Sequence, residues 1–203
     1  MKIICVGRNY AAHAKELNNA VEEEPVIFLK PDTALLSNNQ DFYLPDFSTD
    51  IHYETEVVVK INKPGKHIDE KFAHRYYDSV SVGIDFTARD LQAMLKSKGL
   101  PWERAKAFDG SAVIGSFLPL ADVGNIADLN FSMSLNGQKV QSANTSEMVF
   151  SVDKVIAFVS RFITLKTGDL IYTGTPHGVG KVSVGDHLIG YLGDHELFNF
   201  KVK

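Results

Sequence analysis

The sequence predicts an α+β fold dominated by sheet. Many short stretches rich in Val, Ile, Phe and Tyr are punctuated by Gly, Pro, Asn and Asp turns. Only three or four segments carry helical spacing, and strands and helices do not alternate as βαβ units. The chain has 203 residues, 44% hydrophobic and 23% charged, the balance of a soluble globular protein with one domain and a substantial core.

Taken in order, Lys2–Val6 reads as a short buried strand stopped by Gly7. Asn9 is placed to cap a helix from Tyr10 to Leu17, which carries His13 and Glu16 at i, i+3 on one face. The polar patch Asn18–Glu24 puts that helix on a surface segment. Val26–Leu29 is a strand closed by Lys30-Pro31-Asp32, and a turn-rich interval runs from Ser37 to Asp50. Ile51–Val59, reading IHYETEVVV, is the central strand. Beyond the turn at Ile61–Gly65, Glu70–Tyr77 is expected to form a short helix and Ser79–Phe86 a strand. Thr87 with Asp90 resembles a capping box opening a helix over Ala88–Ser97, which Gly99 and Pro101 terminate. Asn136-Gly137 is a hairpin turn between Phe131–Leu135 and Gln138–Gln141. Ser151 opens the clearest helix, whose Val152, Val155, Ile156, Val159 and Phe162 form a core stripe. Leu170–Thr173 and further short strands complete the chain, with turns at Gly185-Asp186 and Gly193-Asp194.

Composition narrows the function. A net charge of −4 without a basic block argues against a nucleic-acid partner. Cys5 is the only cysteine, which excludes an internal disulfide and a cysteine-built zinc site. The start lacks the pattern of a signal peptide, and no apolar run approaches the ~20 residues of a membrane helix. A cytoplasmic protein without membrane contact is expected.

Chemistry concentrates in a few places. Alternation along the central strand puts His52, Glu54 and Glu56 on one face. That face is either solvated, or its charges are neutralised by protonation, basic partners or a cation. Asp85 ends an apolar strand just before a helix. It either caps that helix or joins Glu54 and Glu56 in an all-oxygen site suited to Mg²⁺ or Mn²⁺. His13 and Glu16 form either a surface contact or an oriented base able to activate water. Lys106 is either a surface lysine or a cation for developing negative charge. The loop Tyr172–Gly180, with three glycines and a proline, can cradle a carboxylate on its backbone amides.

These pieces, in this order, resemble the fumarylacetoacetate hydrolase family in its short form made of the catalytic domain alone. The matching segments are Gly7-Arg8-Asn9-Tyr10 with His13 and Glu16, then His52-Tyr53-Glu54-Thr55-Glu56, then Asp85 with Thr87-Ala88-Arg89-Asp90-Leu91-Gln92. Gly99-Leu100-Pro101-Trp102, Lys106, Asn144-Thr145-Ser146 with Met148, and Gly168-Asp169 with Thr173-Gly174-Thr175-Pro176 and Gly178-Val179-Gly180 continue the match. The resemblance implies a β-rich mixed-sheet roll forming one catalytic domain over 1–203, usually a homodimer. It implies Mg²⁺ or Mn²⁺ on Glu54, Glu56 and Asp85, a catalytic dyad of His13 and Glu16, and Lys106 as catalytic lysine. Arg8, Arg89, Gln92 and Thr175 fall at substrate-binding positions. Asp109-Gly110-Ser111 and His177 fall where relatives vary. The expected activity is hydrolysis of a C–C bond in a small anionic 2,4-dioxo acid of the acylpyruvate or fumarylpyruvate type, by way of an enolate. Decarboxylation of oxaloacetate or keto–enol tautomerisation at the same site is the alternative, and a non-enzymatic module binding metal and a 2-oxo acid is a more distant one.

Overall fold

The computed structural model describes residues 1–11 and 23–203. Among these, the strands in chain order are β1 (Ile3–Gly7), β2 (Val26–Lys30), β3 (Leu35–Leu36), β4 (Ile51–Tyr53) and β5 (Thr55–Ile61). Next come β6 (Tyr77–Asp85), β7 (Thr87–Ala88), β8 (Ala112–Ile114), β9 (Leu118–Pro119), β10 (Asn130–Leu135) and β11 (Gln138–Asn144). The last are β12 (Leu170–Tyr172), β13 (Gly180–Lys181), β14 (His187–Leu192) and β15 (His195–Lys201). The α-helices are short: α1 (Glu70–Ala73), α2 (Arg89–Ser97), α3 (Glu103–Lys106), α4 (Leu120–Val123) and α5 (Val152–Phe162). None is long and apolar enough to cross a membrane.

A curled mixed sheet carries the architecture, in the order β2-β1-β12-β5-β6-β8-β3 with β9 also paired to β6. The β1–β12 and β3–β8 pairs are parallel and the others antiparallel. A second sheet, β11-β10-β14-β15, and a small one, β13-β4-β7, complete the fold. The α+β, sheet-dominated reading holds.

The alternation in β5 explains how the main sheet is buried on both sides. Val57, Val59 and Ile61 enter the larger core with Ile4, Val6 and Ile171. Val58 faces the opposite way, among Ile3, Cys5, Leu170 and Tyr172. Helix α5 covers the larger core with Val155, Ile156 and Val159, and Ser151 caps it by accepting from Lys154 N at 3.1 Å. Asn136 (φ 53°) and Gly137 (φ 80°) turn β10 into β11 with the left-handed residues a two-residue hairpin needs.

Three local expectations are corrected. The stretch Ile51–Val59 is not one strand. It breaks at Glu54, because β4 pairs with β7 and β13 whereas β5 pairs with β6 and β12. The Thr87/Asp90 capping box does not form. Ala88 holds the cap position without a side-chain bond, while Asp90 accepts from Ser48 Oγ at 2.6 Å and Thr49 N at 3.2 Å. The helix expected over Glu70–Tyr77 stops at Ala73, since Tyr77 is drawn into β6 opposite Ile61.

Candidate metal centre and acid-binding cavity

Strand register brings the acids together. Glu56 pairs with Gly83, and the Asp85 amide donates to the Glu54 carbonyl at 2.8 Å, so Glu54, Glu56 and Asp85 share one face of the β5–β6 pair. Gly83 is required between them: a Cβ there would sit 2.4 Å from the Val113 carbonyl oxygen and 2.9 Å from the Tyr172 ring. All three acids are buried, and one carboxylate oxygen from each lies within 4.8 Å of the others. His52, expected on the same face, instead meets the Asp50 carboxylate, with Nε2 3.0 Å from Oδ1. The break at Glu54 separates it from the acids.

Cations balance the cluster. The Lys106 ammonium, itself buried, donates to Glu54 Oε2 at 2.7 Å, Asp85 Oδ2 at 2.7 Å and Thr87 Oγ1 at 2.5 Å. Arg89 donates to Glu54 Oε1 at 2.5 Å and to Gln92 Oε1 at 2.7 Å. Lys30 Nζ lies 2.7 Å from Asp85 Oδ1. Burial works against the charge on Lys106, but Asp85 and Glu54 outweigh it and raise its pKa above the ordinary lysine value. Thr87, expected as a helix cap, is thus a lysine acceptor at the site.

Glu56 sits differently. Its Oε2 accepts the Gly174 amide at 2.7 Å, so the glycine-rich loop cradles a carboxylate, and that carboxylate is the protein's own. Gly174 has φ +100°, and a Cβ there would meet Asn9 Cβ at 2.7 Å. Asn9 holds this loop through its amide, which donates to the carbonyls of Thr173 (2.7 Å) and Phe150 (3.0 Å). Burial, then the facing charge of Asp85, push the Glu56 carboxyl well above the usual range, against the lowering effect of the Gly174 amide.

The donor set fits a hard divalent ion. It is all carboxylate oxygen, gathered at one point and buried. Among the described residues Asp85 Oδ1 accepts no hydrogen bond despite its burial, its close neighbour being the Lys30 ammonium in an ion pair.

The acids open into a cavity whose other walls are basic and aromatic. Arg8, Arg89, Lys96 and Lys106 line it, with Phe28 and Trp102 edge to face at 6.0 Å. Burial, then the nearby charges of Arg8 and Arg89, lower the Lys96 pKa. Arg8 is held in the left-handed region at φ 61°. Of the sequence-predicted residues, Arg8, Arg89, Gln92, Thr175, Lys106, Glu54, Glu56 and Asp85 all line this cavity. His13 and Glu16 lie outside the described residues. Sequence reading missed Lys30 and Gln141. Gln141 reaches from β11, accepting from Thr55 N at 2.9 Å and donating to Thr175 Oγ1 at 3.0 Å. A lysine ending an apolar strand was the only signal for the first, and the second had none.

The chain is similar to known proteins over nearly its whole length. The family model described as fumarylacetoacetate (FAA) hydrolase C-terminal matches residues 2–198. Oxaloacetate tautomerase YcgM of Escherichia coli K12 is 40% identical over 197 residues, covering 97% of this chain and 90% of the relative. The mitochondrial oxaloacetate decarboxylase of Dictyostelium discoideum is 42% identical over 185 residues, 91% of this chain and 85% of its own. The crystal structure of fumarylpyruvate hydrolase from Pseudomonas aeruginosa, in complex with Mn²⁺ and pyruvate, superposes with a TM-score of 0.94 at 38% identity, covering 100% of this chain and 89% of that one.

Proposed function

The chain belongs to the fumarylacetoacetate hydrolase family, and we propose that it is an enzyme of metal-dependent enolate chemistry on a small 2-oxo acid. The observation that carries the proposal is the buried triad Glu54, Glu56 and Asp85 opening into a cavity walled by Arg8, Arg89, Lys96 and Lys106. A cation site and an anion site side by side suit a substrate that is both a chelator and an acid. The oxaloacetate tautomerase and decarboxylase among the relatives, and the Mn²⁺ and pyruvate in the Pseudomonas structure, support the same substrate class.

In this reading Glu54, Glu56 and Asp85 hold Mg²⁺ or Mn²⁺. When bound, that ion supplies Lewis-acid polarisation of the 2-oxo carbonyl. Arg8, Arg89 and Lys96 receive the substrate carboxylates, with Gln92 and Thr175 fixing orientation. Lys106, held on one side by Glu54, Asp85 and Thr87, offers its charge to a developing oxyanion. His13, oriented by Glu16, takes the proton. From water, this drives attack on the distal carbonyl of an acylpyruvate; the C–C bond breaks to a carboxylic acid and the enolate of pyruvate, which is then protonated. From C3 of oxaloacetate, the same base gives the enolate, and return of that proton to the 2-oxo oxygen completes the enol. Loss of CO₂ from oxaloacetate needs no base and also leaves the pyruvate enolate.

A diacid finds more cations to meet here than a monoacid does, since Arg8, Arg89 and Lys96 line the same cavity. We also read the chain as one catalytic domain working as a cytoplasmic homodimer. Exposed Tyr43, Phe47 and Val184 offer apolar surface to a second copy.

The test is a paired assay with Mg²⁺ or Mn²⁺, following oxaloacetate enolisation and decarboxylation beside acetylpyruvate cleavage. Wild type, Glu54→Ala and His13→Ala are compared. Glu54→Ala is expected to lose every activity, and His13→Ala to lose cleavage and enolisation while keeping decarboxylation. Full activity of Glu54→Ala overturns the metal assignment, and full cleavage by His13→Ala overturns the base.

A further inference from the structure

Lys30 ends β2, and its ammonium is fully buried. A buried lysine is costly unless its three protons find acceptors. Here they find several, from separate segments. Lys30 Nζ donates to the carbonyl of Lys106, to the Ser111 carbonyl at 2.9 Å and to Ser111 Oγ at 3.0 Å. A longer contact of 3.4 Å reaches the Phe86 carbonyl, and Asp85 Oδ1 lies 2.7 Å away. Ser111 Oγ in turn donates to the Lys106 carbonyl at 2.9 Å.

The Asp85 carboxylate is therefore held at both ends, Oδ2 by a hydrogen bond from Lys106 and Oδ1 by its ion pair with Lys30. Lys30 also grips the backbone of Lys106, whose side chain makes the second of these contacts. One side chain thus fixes the orientation of a proposed metal ligand and the origin of the lysine beside it. We propose that Lys30 is a positioning residue for the metal centre, holding the Asp85 carboxylate and the Lys106 segment so that the ion meets a preformed set of oxygens. The inference rests on the assignment of Glu54, Glu56 and Asp85 as the metal site.

Its test is Mn²⁺ titration by calorimetry, with thermal unfolding measured alongside, on wild type, Lys30→Met, Ser111→Ala and Val159→Ala. Val159, in the core stripe of α5, supplies a variant destabilised away from the site. Lys30→Met is expected to bind Mn²⁺ about 10- to 100-fold more weakly at temperatures where it is folded. Ser111→Ala is expected to bind about five-fold more weakly, the equivalent of one hydrogen bond. Val159→Ala is expected to melt earlier yet keep the wild-type dissociation constant, which separates positioning from general stability. Folded Lys30→Met with wild-type affinity overturns the inference. Where Lys30→Met does not fold, wild-type affinity in Ser111→Ala overturns it. Wild type that takes up no Mn²⁺ overturns the metal assignment itself, a result distinct from either.

Discussion

At the scale of single residues, the site sets protein groups against their ordinary preferences. Glu56 is the clearest case. Buried beside Asp85, it holds its proton more tightly folded than unfolded. A carboxyl whose folded pKa is raised contributes stability that is complete below its unfolded value, about 4.3, and is lost as pH rises through the folded one. Metal-free protein is therefore expected to lose thermal stability over that rise, while protein saturated with Mn²⁺ does not. Glu56→Gln is expected to flatten the metal-free slope, and melting curves at several pH values with and without Mn²⁺ check both. Gly174 is held by geometry. Gly174→Ala places a Cβ against Asn9 at a left-handed backbone position, which is expected to cost about 1–3 kcal/mol. It also shifts the amide that binds Glu56, so Mn²⁺ affinity should fall with stability; calorimetry on the folded variant is the check.

At the scale of elements, the acids sit at strand ends, the short helices α2 and α3 bring Arg89, Gln92, Lys96 and Lys106 to them, and α5 serves the core. Ser151→Ala removes the acceptor at the start of α5 and is expected to cost about 1 kcal/mol with kcat unchanged. Denaturant melts and a steady-state assay on the same sample test that separation. What could be read from sequence follows the same division. The α5 stripe, the Asn136-Gly137 hairpin and the valines of β5 were legible because periodicity and turn chemistry are local. The acids were legible because Glu54 and Glu56 alternate along an extended segment and Asp85 ends the apolar strand β6. Illegible were the contacts that depend on which strand lies next to which. Lys30 reads as the polar end of a strand until the curl of the sheet sets it beside Asp85, and Thr87 reads as a helix cap until Lys106 reaches it. The break at Glu54 was hidden because β4 and β5 run on as one extended, strand-forming segment and part only by joining different sheets.

At the scale of the whole molecule, Lys30, Lys106 and Arg89 pair with Glu54 and Asp85 while Glu56 rests on the Gly174 amide, so cations already offset the charged acids before any ion enters. A divalent ion then adds net positive charge to a cavity already lined by Arg8 and Lys96, and an acidic substrate restores the balance. Ion binding should stabilise the fold. At a free Mn²⁺ concentration about 100 times its dissociation constant the gain is about 2.7 kcal/mol, and a chelator should reverse it in a melting experiment. Formation of an enolate from a 2-oxo acid in this pocket is tested by proton NMR of pyruvate in D₂O with Mg²⁺, following exchange of the methyl protons. Wild type is expected to exchange them well above the buffer rate, while added chelator and Asp85→Ala each return exchange to that rate. Exchange by wild type at the buffer rate, or undiminished exchange by Asp85→Ala, would contradict enolate formation at this centre.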